Sequence, residues 1–130
     1  VLSDRKAHGE NLQALLRYRF KVASELLTGD LPLAQRQEVT ERLNARQVRV
    51  VIATGQLIGE GFDCRVLSTL FLVTPIRFNG RLLQYVGRVL RPAPGKDKAR
   101  VYDYVDAGVG VLRAAARHRL RTYGTVNRVN

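Results

Sequence analysis

Val48-Arg49-Val50-Val51-Ile52-Ala53-Thr54-Gly55-Gln56-Leu57-Ile58-Gly59-Glu60-Gly61-Phe62-Asp63 is the stretch that decides the fold. Four of its first six residues are Val or Ile, the β-branched apolar composition of a strand. The strand then runs into a loop with three glycines in seven residues, which permits positive φ and close backbone approach. Thr54 places a hydroxyl beside backbone N–H groups, an arrangement that suits phosphate. Asp63 offers an acceptor for a sugar hydroxyl or a cation. No Lys-Ser or Lys-Thr pair follows a glycine, so this loop is not a P-loop. On glycine content alone, an ordinary tight turn with Asp63 capping a helix fits equally well.

Working outward, strand-like and helix-like periodicities alternate. Val1-Leu2-Ser3 reads as the end of a strand, and the chain as one cut from a longer protein. Glu10 to Phe20 puts Leu12, Leu15, Leu16 and Phe20 on one helical face. Val22 to Leu27 reads as a strand. Pro32 suits the first turn of a helix that runs to about Ala45, with Val39 and Leu43 inward. Thr69 to Val73 is a strand stopped by Pro75. Asn79 to Leu90 is a helix ended by Arg91-Pro92. Arg100 to Val105 is a strand in which Tyr102 and Tyr104 pack. Val111 to Tyr123 is a helix with Leu112, Ala115, Ala116 and Leu120 on its apolar face. Alternation of this kind predicts a three-layer α/β/α domain with a mainly parallel sheet. Ligands of such sheets bind beyond the C-terminal ends of the strands, here the loops after Ser3, Leu27, Ala53 and Val73.

The helix of residues 79–90 carries a second pattern. Leu82, Leu83, Val86 and Leu90 form its apolar face, whereas Gln84, Arg88 and Arg91, spaced by four and three, share another. Gly87 thins the helix between them. Two arginines and a glutamine on one stripe suit a phosphate oxyanion, because Arg stays charged and bonds it through two N–H groups. A solvated basic face is the plainer alternative.

Composition is that of an ordinary globular chain of 130 residues, 45% hydrophobic and 25% charged. Against 11 acids stand 22 basic residues, 18 of them Arg, for a net charge of +11. Such an excess favours polyanionic partners, since neutralising phosphates releases counterions. The single cysteine, Cys64, forms no internal disulfide and reads as a small buried residue, which fits a cytoplasmic setting. No apolar run is long enough to span a membrane. His8 and His118 have no partner at metal-ligand spacing and read as surface or capping residues. The run Arg113, Arg117, His118, Arg119, Arg121 is either a nucleic-acid contact or a solvated face.

With these segments assembled, a family resemblance emerges. Ala53-Thr54-Gly55 through Gly61-Phe62-Asp63 resembles motif V of the superfamily 2 DEAD/DEAH-type helicases. Gln84-Tyr85-Val86-Gly87-Arg88-Val89-Leu90-Arg91-Pro92 resembles their motif VI. Val1 to Leu12 resembles the motif IV region, and Leu27-Thr28-Gly29-Asp30 with Arg36 the adjoining motif. The resemblance covers Val1 to Asp106 and implies a C-terminal, second RecA-like domain (P-loop NTPase-like in fold) over residues 1–106, with 107–130 a basic helical extension packed on it. It implies that Arg91 is the arginine finger, with Arg88 beside it at the phosphates and Gln84 as an orienting group. It implies that Gly61 and Asp63 face the nucleotide. Thr54 and Gly55, and more weakly Ser3 and Arg36, would touch the nucleic-acid backbone.

DEAD-box members carry a Gln three residues before the Arg36 equivalent. Here that position is Leu33, which argues against the DEAD-box RNA subgroup, and the spacing Gly59-Glu60-Gly61-Phe62-Asp63 resembles DNA-directed or DEAH-like members more closely, so double-stranded DNA is expected ahead of RNA. The chain has no Walker A sequence and no Asp-Glu pair. In this family both lie in the preceding N-terminal RecA-like domain, which would hold most of the ATP and Mg²⁺, so this chain alone is expected not to hydrolyse ATP. A non-enzymatic nucleic-acid binder on a degenerate helicase fold is the competing reading, and intact Arg88 and Arg91 count against it.

Overall fold

The computed structural model describes residues 1–54, 64–74, 84, 86, 87, 89 and 91–127. Its strands are β1 (Ser24–Leu27), β2 (Val50–Ala53), β3 (Thr69–Leu72) and β4 (Arg100–Asp103). Its helices are α1 (Lys6–Phe20), α2 (Leu33–Asn44) and α3 (Gly110–Asn127). β1 pairs with β2 and β3 with β4, both in parallel. Leu2 joins the two pairs, bridging Ala53 on one side and Leu72 on the other, again in parallel. The sheet therefore reads β1, β2, the Val1–Ser3 segment, β3, β4. The expected parallel sheet is present, and the N-terminal segment lies at its centre. All the strands are shorter than their apolar runs, because Val22, Val48, Val73 and Val105 fall outside the ladders.

Side-chain alternation assigns the layers. Leu27, Val51, Ala53, Leu2, Leu70 and Leu72 share one buried cluster with Val39 and Leu43 of α2 and with Val86 and Val89. Residues 84, 86, 87 and 89 are helical, so α2 and this second helical segment cover the same face. Leu26 and Ile52 point the other way, towards α1. A Cβ added to Gly9 would lie 3.1 Å from Leu26 Cδ1 and 3.3 Å from Ile52 Cγ2.

That close approach corrects the expected face of α1. The helix begins at Lys6, four residues earlier than its leucine pattern suggested, and its one fully buried residue is Gly9. Leu12 and Leu16 flank it half-buried, whereas Leu15 is 46% exposed and Phe20 57% exposed. A glycine with its neighbours at i+3 and i+7 sets the contact stripe, and Leu15 falls off it. α2 matches expectation more closely, with Pro32 as N-cap and Val39 and Leu43 buried.

β4 and α3 also differ from expectation. Tyr102 stacks on Phe71 with ring centroids 4.9 Å apart, but Tyr104 lies beyond the strand and is exposed. On α3 the inward face is Leu112, Ala115 and Ala116, as expected, together with Arg119, Thr122 and Tyr123, while Leu120 is 65% exposed. Arg119 is 4% exposed and forks onto Asp103, with Nε to Oδ2 at 2.6 Å and Nη2 to Oδ1 at 2.9 Å. Tyr123 donates its hydroxyl to the same carboxylate at 2.8 Å. Leu82, Leu83 and Leu90 lie outside the described residues.

The nitrogen of Val1 donates to Val51 O at 2.8 Å, which ties the central segment to β2 from its first residue.

Candidate functional site

The C-terminal ends of the strands gather several of the expected residues. Ser3 N–H donates to Ala53 O at 3.0 Å, and Thr54 N–H to Leu27 O at 3.1 Å, so the three segments emerge side by side. α1 leaves the central segment on one face and α2 returns to β2 on the other. The chain therefore leaves the strand ends on opposite faces after Ser3 and after Leu27, with Thr54 between them, and such a divergence is where an open α/β sheet forms its binding crevice. Thr54 is half-buried at this edge. Asp4 N–H donates to Thr74 Oγ1 at 3.1 Å, adding the loop after β3.

Ser3 is 1% exposed, and its hydroxyl is already engaged inside. It contacts His8 Nδ1 at 2.9 Å and accepts a hydrogen bond from Arg5 N–H at 3.4 Å. Ser3 thus closes the turn into α1, and Asp4 and Thr74 carry the outer surface. His8, expected at the surface or as a cap, is half-buried in this same turn.

Arg36 builds the neighbouring loop. Its Nε donates to Leu31 O at 2.8 Å and its Nη2 to Gly29 O at 3.3 Å. Thr28 donates to Asp30, and Lys6 pairs with Asp30 across from α1. These bonds, that from Lys6 first, hold the Asp30 carboxyl down at about 2. The turn at residues 28–31 is therefore tied at both ends, to α1 and to α2, a link that charge counting does not reveal.

The motif VI segment sits elsewhere. Gln84 is exposed on the helical stretch, opposite buried Val86 and Val89. Arg91, half-buried, lies just past that stretch, and its carbonyl accepts Lys96 Nζ at 2.6 Å. The same ammonium reaches Arg65 O at 3.3 Å, and burial lowers its pKa. A cation on the last carbonyls of a helix complements its dipole; Lys96 is a residue that motif reading did not single out. Lys96 also lines a cavity of about 460 Å³ with Val1, Arg49, Val50 and Ser68, at the N-terminal ends of β2 and β3. Arg91 and Thr54 thus lie towards opposite ends of the sheet, separated by roughly 10 Å or more of strand length. Gly55, Gly61, Asp63 and Arg88 lie outside the described residues. Among the described residues, no three His, Cys, Asp or Glu side chains come together as a metal site.

Residues 1–93 match the family model described as the helicase conserved C-terminal domain. The chain belongs to the helicase C-terminal domain family. Two relatives, one of them named as a helicase, share sequence with the chain. The chain is 26% identical over 110 residues to a putative ATP-dependent helicase, IRC3, of Saccharomyces cerevisiae, covering 84% of the chain and 16% of that protein. It is 30% identical over 98 residues to a putative type I restriction enzyme endonuclease subunit of Methanocaldococcus jannaschii, covering 75% of the chain and 9% of that protein. It therefore spans a small part of each relative.

Two solved structures share the fold. The C-terminal part of the Fun30 ATPase domain superposes with a TM-score of 0.78 at 12% identity, over 89% of this chain and 37% of that one. The Escherichia coli DEAD-box protein SrmB, bound to the regulator of ribonuclease activity A, gives 0.68 at 23% identity, over 85% and 62%. The RecA-like α/β architecture expected from the motifs is that of these helicase domains. The family model ends at residue 93, ahead of β4 and α3. Among the described residues no helix is long and apolar enough to cross a membrane.

Proposed function

We propose that this helicase C-terminal domain is the second RecA-like unit of an ATP-dependent superfamily 2 helicase or translocase acting on double-stranded DNA. One edge of its sheet tracks the nucleic-acid backbone, and the stripe through Gln84 and Arg91 faces the nucleotide. The observation that carries the reading is the convergence of Thr54, Asp4 and Thr74 at the crevice of a sheet whose family is that of helicases. Thr54 with Gly55 would contact the phosphate backbone. Arg36 would act by shaping the 28–31 turn, and Ser3 by fixing the start of α1.

Most of the ATP and the Mg²⁺ would be held by a preceding P-loop domain. Gln84, polar and exposed, fits a hydrogen bond to nucleotide. Arg91 and Arg88 fit a phosphoryl group by charge, and Gly61 and Asp63 complete that side. ATP supplies the free energy through transfer of its terminal phosphoryl group to water. Residues 107–130 form the basic extension of the domain, and its working place would be the cytoplasm.

In a helicase that contains this domain, Thr54→Ala should weaken DNA-stimulated ATP turnover and leave basal turnover nearly unchanged. Losing one neutral hydrogen bond costs about 1 kcal/mol, which raises half-saturation by DNA roughly fivefold. Titrating duplex DNA at fixed salt and recording the ATPase rate checks this. Equal half-saturation and equal maximal stimulation in both proteins would remove Thr54 from the track.

A further inference from the structure

α3 lies beyond the family match, and its two faces are sharply unequal. Its inward face is Leu112, Ala115, Ala116, Arg119, Thr122 and Tyr123. On the outer side, Arg113, Arg117 and Arg121 recur every four residues, and all three are exposed. The helix contains no acid, whereas solvated helix faces commonly mix both signs. Successive arginines at this spacing stand about 6 Å apart along the axis, comparable to the separation of neighbouring phosphates on one nucleic-acid strand.

The placement of α3 adds a second, independent argument. Leu112, in its first turn, shares a groove with Asp4, Ala7, His8 and Thr74. Arg5 lines the same groove and is exposed. The stripe therefore starts beside the strand-end crevice, on a helix whose Arg119 and Tyr123 meet Asp103 at the end of β4. Asp4 and Asp106 are the acids near its start, and Asp106 is engaged in capping Gly108 N–H at 3.0 Å. Arg119, the one arginine of α3 turned inward, is committed to Asp103 and takes no part.

We infer that Arg113, Arg117 and Arg121 form a second phosphate-binding rail for duplex DNA, continuous with the crevice at Asp4 and Thr74. The rail rests on the proposed nucleic-acid function and extends it to a surface outside the conserved motifs. It reads no sequence, because phosphate contacts position a duplex without distinguishing bases. It lengthens the grip on DNA beyond what the sheet edge alone supplies.

The test replaces the three arginines by Gln and compares the variant with a control, Arg17→Gln, Arg19→Gln and Lys98→Gln, which removes the same charge from elsewhere. Binding of a fluorescent DNA duplex to the chain is followed by anisotropy across a salt series, with circular dichroism confirming that both variants fold. The rail predicts that log-affinity against log-salt becomes shallower by about two to three in slope for the α3 variant. Affinity at low salt should fall about tenfold or more, with the control close to wild type. Equal losses in both variants would reduce the effect to net charge and overturn the rail. An unaffected α3 variant on a wild type that binds would overturn the rail and leave the helicase reading standing. A wild type that fails to bind even at low salt would overturn both. A loss confined to duplex RNA would overturn the assignment to DNA.

Discussion

Arg91→Ala, in a helicase that carries this domain beside its P-loop domain, is expected to lower ATP turnover by about 10³-fold with nucleotide binding nearly intact. A guanidinium aimed at a transferring phosphoryl group acts on charge that is largest in the transition state, so its loss falls on kcat rather than on affinity. The local structure supplies the rigidity this role demands. Val86 and Val89 anchor the helical stretch in the core, and Lys96 grips the Arg91 carbonyl just past it. The backbone that presents Arg91 is thus held from two sides. Arg91→Lys keeps the charge but loses the planar fork, so it should recover only part of the rate. Lys96→Ala should lower turnover less, by loosening the presentation while leaving the guanidinium. Single-turnover ATPase rates with nucleotide titrations separate these effects. Near-normal turnover in Arg91→Ala would pass the role to Arg88.

What the sequence made legible follows from the scale at which each feature is encoded. The parallel sheet was readable because Val50–Ala53 is buried on both faces and Thr69–Leu72 alternates buried and half-buried, and apolar runs report that directly. α2 was readable because Pro32, Val39 and Leu43 set its start and its inward face together. The face of α1 was not, because its contact is organised by Gly9, a residue with no side chain for a periodicity to detect. The candidate site divides the same way. Thr54 was singled out from its place at the end of the strongest strand, and it lies half-buried at the strand ends, its N–H bonded to Leu27 O. Arg36 was singled out by motif, but its bonds to Gly29 and Leu31 depend on how one turn folds back. Lys96 and the Lys6–Asp30 pair join residues distant in sequence, which no local pattern reports. Arg119 was counted among a basic cluster, and only the partner across the fold shows that it is internal.

Replacing Asp103 by Ala should destabilise the chain by about 3–5 kcal/mol, because it strands a buried guanidinium. Asp103 accepts from Arg119 twice and from Tyr123 once, and Arg119 is almost fully enclosed. Removing the carboxylate leaves a desolvated positive charge without its counter-ion, which costs more than the pair itself contributes. Burial, and then the bond to Asp103, push the Tyr123 hydroxyl well above its ordinary pKa, so it stays a donor at any working pH. All three groups tie α3 to the edge strand β4, and the damage should therefore concentrate there. The melting temperature should drop on the order of 10 °C, and α3 amides should exchange with solvent earlier than those of α2. Arg119→Ala should cost less than Asp103→Ala, since Tyr123 still donates to the carboxylate it leaves behind. Asp103→Leu combined with Arg119→Met removes both charges and should recover much of the loss, as apolar replacements of buried pairs often do. Two results would refute the staple: a melting temperature unchanged in Asp103→Ala, or single-variant costs that simply add in the Asp103→Ala, Arg119→Ala double variant, since residues acting as one unit must fall short of additivity. A detached α3 would also release Arg113, Arg117 and Arg121 from their fixed line, so Asp103→Ala should weaken DNA binding without touching any residue that contacts it.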